Sequence, residues 1–99
     1  MALSSISRVV SSTDSAWTDL VVGPAIITSI TMANTVQDDV VVSVRLMKGS
    51  TAALIVPNDI LPEGGSYRLR LPAVVAESGD KLQVASSGKV DWILTGMKP

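Results

Sequence analysis

Apolar and polar residues alternate along most of the chain, with the two-residue period of half-buried β-strands. "DVVVSVRLM" puts Val40, Val42, Val44 and Leu46 on one side of an extended segment and Val41, Ser43, Arg45 and Met47 on the other. "AIITSITMANT" divides the same way, Ile26, Thr28, Ile30 and Met32 against Ile27, Ser29 and Thr31. "SYRLRLP" points Tyr67, Leu69 and Leu71 inward and Arg68 and Arg70 outward, and Pro72 is expected to end it. "SISRVVS" predicts a first strand over about 6–11, and "AWTDLVV" a second that Gly23-Pro24 breaks. "TAALIV" predicts a strand ending at Pro57, and "PNDILPEGG" a loop. These segments, with two more near the C-terminus, make seven or eight short strands separated by turn signals every ~8–12 residues, the signature of an antiparallel sandwich or barrel. The predicted core is Val42, Val44, Leu69, Leu71, Leu82, Val84 and Trp92.

The C-terminal strands invite a hairpin. With Ser86-Ser87-Gly88 as a three-residue loop, Val84 opposes Val90, Leu82 opposes Trp92 and Gln83 opposes Asp91, and Gly88 takes the left-handed position. Just ahead stand Glu77 and Asp80, flanking Gly79. Two close carboxylates suit glycoside chemistry only inside a cleft that raises one pKa. A turn explains them better: Gly79 takes positive φ and Asp80 bonds neighbouring amides.

Composition narrows the function. The 99 residues suit one domain, 1–99, in which 1–12 is either an N-terminal arm or an exchanged edge strand. Hydrophobic residues make up 46%, more than so small a domain buries, so part of the excess is expected to meet a partner. Net charge is −1, which supplies no basic footprint for nucleic acid or an anionic membrane. The apolar runs are short of the ~18–20 residues of a membrane helix, and "MALSSISRVV" does not read as a signal peptide. His and Cys are both absent, which removes the commonest general base, the thiolate nucleophile and the best metal ligands. No catalytic residue, cofactor or metal is expected, and the chain is not read as an enzyme. Asp38-Asp39 with Asp59 or Asp14 lack the ligand spacing of a calcium loop.

Four residues are candidates for an interface: Trp17, Val41, Arg68 and Arg70. Trp17 lies among polar neighbours and suits a strand edge. Val41 falls on the outward parity of an all-valine run. The two arginines either grip a carboxylate or keep a sheet edge from aggregating.

Taken in order, "VVGPAIITSITMANTVQDDVVVSVRLM", "ILPEGGSYRL" and "VVAESGDKLQVASSGKVDWILTG" resemble small β-sandwich proteins of tailed-bacteriophage virions. The matching residues are Asn34-Thr35, Pro62 to Gly64, Gly79-Asp80 with Leu82 and Val84, and Gly96, over about residues 16–97. The resemblance implies a jelly-roll or immunoglobulin-like sandwich and a structural role in the virion. A capsid decoration or cement protein is expected first, and a small tail, baseplate or head-fibre component second. It implies a homo-oligomer, a trimer by preference, on the major capsid protein or another virion protein, in a virion assembled in the host cytoplasm. A carbohydrate-binding module using Trp17 or Trp92 is the alternative from another class.

Overall fold

The computed structural model describes residues 4–12, 17–36 and 38–98, and side chains for 17–36, 38–56, 59–66, 74 and 76–98. Eight strands follow one another, with no helix among the described residues: β1 (Ser4–Ser12), β2 (Thr18–Val22), β3 (Ala25–Asn34), β4 (Val40–Lys48), β5 (Thr51–Leu61), β6 (Ser66–Ala76), β7 (Lys81–Ser86) and β8 (Val90–Lys98). They form two antiparallel four-stranded sheets, ordered β1-β8-β3-β6 and β2-β7-β4-β5. Both sheets feed one core: Ile27, Ile30, Trp92 and Leu94 from the first, Leu20, Val42, Val44, Leu82 and Val84 from the second. Of the expected core, Val42, Val44, Leu82, Val84 and Trp92 are buried, whereas Leu69 and Leu71 lie outside the described side chains.

Bulges correct the strict alternation read from the sequence. In β3 the ladders to β6 and β8 both shift between Ile27 and Ser29. The extra residue, Thr28, donates its hydroxyl to the Thr95 carbonyl at 3.1 Å. Parity flips there, so Ile27 and Ile30 are both buried, although strict alternation puts them on opposite faces. In β2 the shift between Asp19 and Val21 likewise buries Leu20 and Val21 side by side.

Neither Pro57 nor Pro72 ends a strand. β5 runs through Pro57 to Leu61, and β6 through Pro72 to Ala76, so the stretch 73–76 is strand as well. Both prolines sit at register shifts: Val56 pairs with Val44 but Asp59 with Val42, and Arg70 pairs with Ser29 but Val74 with Ile27. Each strand is also the outer edge of its sheet, and a bulged edge position has no ladder partner for the N–H that proline lacks.

The expected C-terminal hairpin does not form. β7 pairs with β2 and β4, while β8 pairs with β1 and β3 in the other sheet. Residues 87–89 therefore arch from sheet to sheet, and Gly88 is not among the glycines of positive φ, which are Gly49, Gly64 and Gly79. The arch is stitched to β4: the Ser87 amide donates to the Val41 carbonyl and the Val41 amide to Ser87 Oγ, both at 2.9 Å. The N-terminal segment lies as β1 along the chain's own β8, Ser4 opposite Lys98 and Ser12 opposite Val90.

Candidate interaction face

The two ends of the molecule are closed by buried polar hubs. At one end Asn34, 4% exposed, donates from Nδ2 to the carbonyls of Asp38 (2.8 Å), Leu61 and Pro62 (both 3.1 Å). Its Oδ1 accepts from the Val36 amide at 2.9 Å, and its own amide donates to the Gly65 carbonyl at 2.9 Å. One side chain thereby ties the β3–β4 connection to the β5–β6 turn.

At the other end Asp80 is buried. Its Oδ2 accepts from Lys48 Nζ at 2.5 Å and from the Glu77 amide at 2.9 Å. The Asp80 carbonyl accepts from the Gly23 amide at 2.7 Å, and Gly79 has φ +87°. Glu77 and Asp80 are thus turn residues that bind three connections together, and Glu77 adds only an exposed contact to Lys48 at 3.7 Å. The Lys48 hydrogen bond, with help from the Glu77 amide, holds the Asp80 carboxyl below the usual range against the opposing effect of burial. The same bond raises Lys48. Asp39 accepts from the Glu63 amide (3.1 Å) and Asp59, within β5, from the Ile60 amide (2.9 Å), while Asp14 lies outside the described residues. Among the described residues no three of His, Cys, Asp and Glu gather as a metal group.

The remaining feature is the outer face of the β2-β7-β4-β5 sheet. Register sets Val41 beside Ile60 and Arg45 between Leu54 and Gln83. Val41 is 40% exposed, Leu54 58% and Ile60 62%, so an apolar stripe runs from β4 to the sheet edge. Beside it lies an ordered polar group. The Arg45 guanidinium stacks on the Trp17 ring, 4.0 Å from its centroid. Arg45 Nε donates to Gln83 Oε1 at 2.9 Å, and Gln83 Nε2 donates to Asp19 Oδ1 at 2.7 Å. Lys81 stands 3.8 Å from the other Asp19 oxygen.

Two of the four candidates named from sequence therefore meet on this sheet, Trp17 on Arg45 and Val41 in the stripe. Arg68 and Arg70 lie on β6, the edge of the other sheet, opposite Thr31 and Ser29 of β3, and their side chains lie outside the described set. Sequence reasoning does not single out Arg45, Gln83 or Ile60. Arg45 carried a signal, being a cation on the outward parity of a valine strand. Ile60 carried none, because it was assigned to a loop.

Comparison with protein-family models, curated proteins and solved structures finds no match to this chain.

Proposed function

We propose that the chain is a non-enzymatic structural protein of a tailed-bacteriophage virion, a capsid decoration or cement protein that works as a homo-oligomer, built as a jelly-roll sandwich. The observation that carries this reading is the pairing of strands: β1 with β8, β2 with β7, β3 with β6 and β4 with β5. These four pairs are nested, as in one long hairpin rolled up on itself. Rolling adds the contacts β3–β8 and β4–β7 and leaves two four-stranded sheets. That order supports a jelly roll, whose double-Greek-key pattern is used by viral coat proteins and by lectins. The shortest dimension, 20 Å, matches two sheets about 10 Å apart with their outer side chains. Fold analogy alone does not assign a role. The assembly reading draws its second support from the exposed stripe of Val41, Leu54 and Ile60, the kind of surface that proteins cover in complexes.

The same fold in lectins raises the sugar-binding alternative, and the tryptophans argue against it. A sugar platform needs a bare indole face, but Trp92 is fully buried and Trp17 is partly buried with one face under Arg45.

Mass spectrometry and cryo-EM of purified particles, paired with sedimentation of the free protein, test the proposal. The protein is expected on the particle surface in symmetric clusters, a trimer being favoured, and Val41→Asp is expected to weaken association by at least about tenfold. A protein absent from particles and monomeric in solution overturns it.

A further inference from the structure

Beside the apolar stripe lies a depression of about 160 Å³, lined by Arg45, Met47, Gly49, Gly79, Lys81 and Gln83. Two cations line it and no carboxylate does. Lys48, nearby, is paired with Asp80 and Glu77, and Lys81 has only a long contact of 3.8 Å to Asp19. Arg45 has no carboxylate within ion-pair reach among the described residues, although it is half-buried and tightly oriented.

The orientation is built by a directed chain of bonds. Asp19 can only accept, so it draws the amide nitrogen of Gln83 toward itself. The Gln83 oxygen is thereby turned to Arg45 and accepts the hydrogen bond from its Nε–H. Trp17 fixes the plane of the guanidinium from one side. What stays available is the far edge of the fork, the two Nη groups, whose geometry matches a carboxylate. Holding an arginine still costs side-chain entropy, and a preorganised fork recovers that on binding.

We propose that this depression is a carboxylate-binding site that seats an acidic side chain of a partner protein against Arg45, with Lys81 as the second cation. Charge complementarity carries the assignment: the depression is lined by two cations and no carboxylate, and Arg45, held in place by Gln83 and Trp17, has no ion-pair partner among the described residues. The apolar stripe beside it supplies the water-excluding surround that such a charged anchor needs. That the ligand is a protein side chain, not a free anion, rests on the assembly reading above.

The test titrates the ¹⁵N-labelled full chain with the blocked peptide acetyl-Gly-Glu-Gly-amide, with its Gln counterpart and with inorganic phosphate. The Glu peptide is expected to shift the Arg45 Nε–H and Trp17 indole signals saturably, with a dissociation constant on the order of millimolar, and the Gln peptide to leave them in place. Arg45→Gln is expected to weaken binding by about tenfold or more. Should Arg45→Gln not fold, Met47→Glu serves instead, since an internal carboxylate on the floor of the depression competes with the peptide. No saturable shift, equal shifts from the two peptides, undiminished binding in these variants, or phosphate binding more than about tenfold tighter than the Glu peptide would overturn the assignment. The two proposals fail separately: peptide binding with no protein on particles rejects only the virion role, and protein on particles with no peptide binding rejects only the site.

Discussion

Asn34 shows how much one side chain holds when its partners are main-chain groups. Three carbonyls and one amide depend on it, and Asn34 itself is buried. Asn34→Ala leaves those groups unpaired and is expected to cost about 2–4 kcal/mol, read as a lower urea midpoint at unchanged slope. Asn34→Asp keeps the acceptor and loses every donor, so it is expected to be at least as damaging. Asp80 makes a parallel case that depends on pH. Its carboxyl is held below its ordinary value of 3.8, so the stability it supplies is present above that value and is lost as pH falls through the lower folded value. Lys48, raised from 10.5, behaves in the opposite sense, and its share is lost only as strongly alkaline pH passes its folded value. Asp80→Asn is therefore expected to be less stable than wild type at neutral pH, with the gap closing in strong acid. A gap that persists unchanged at low pH would show that the loss is one of packing.

At the scale of elements, the bulges decide which faces are buried, and they depend on their neighbours. Gly96 of β8 sits opposite Ile27 at the β3 bulge, where an added Cβ would strike the Ile26 carbonyl. Gly96→Ala is expected to cost about 1–3 kcal/mol, while Thr95→Ala, at an exposed neighbour, costs much less. Equal effects would mean that the strand yields easily there. These local devices also mark what the sequence could reveal. Val42, Val44, Leu82, Val84 and Trp92 were legible as core because they lie on regular stretches. Strict alternation separates Ile27 from Ile30, because nothing in "AIITSIT" announces which residue is the extra one. The C-terminal hairpin failed for a different reason. Apolar agreement between Leu82 and Trp92, or Val84 and Val90, is satisfied as well by two sheets feeding one core as by two strands in one ladder. Periodicity fixes which way a side chain faces and is silent on which strand lies alongside. The candidate face was half legible: Trp17 and Val41 were marked by sequence, whereas the Arg45–Gln83–Asp19 chain exists only because β4, β7 and β2 lie side by side.

For the whole molecule the nested pairing sets the distances along the chain that folding must close. The innermost pair, β4 and β5, is joined by Gly49 and Ser50 alone, while the outermost brings Ser4 to Lys98. Closing the inner turn first shortens every later loop, so the entropic cost falls on the chain in order from its middle to its two ends. Most ladder contacts are distant in sequence, and folding is expected in milliseconds to seconds. Gly49 holds φ +61° with open space around it, so Gly49→Ala strains the backbone by about 1 kcal/mol without a clash. If the molecule zips outward, that loss appears mainly as slower folding. Leu94→Ala, in the last strand to dock, then appears mainly as faster unfolding. Chevron plots of the two variants read the order directly, and the opposite partition would mean that the ends meet before the middle. A protein wound in that order is expected to unwind in reverse: β1, the outer strand of its sheet and held by β8 alone, parts first while the centre still holds.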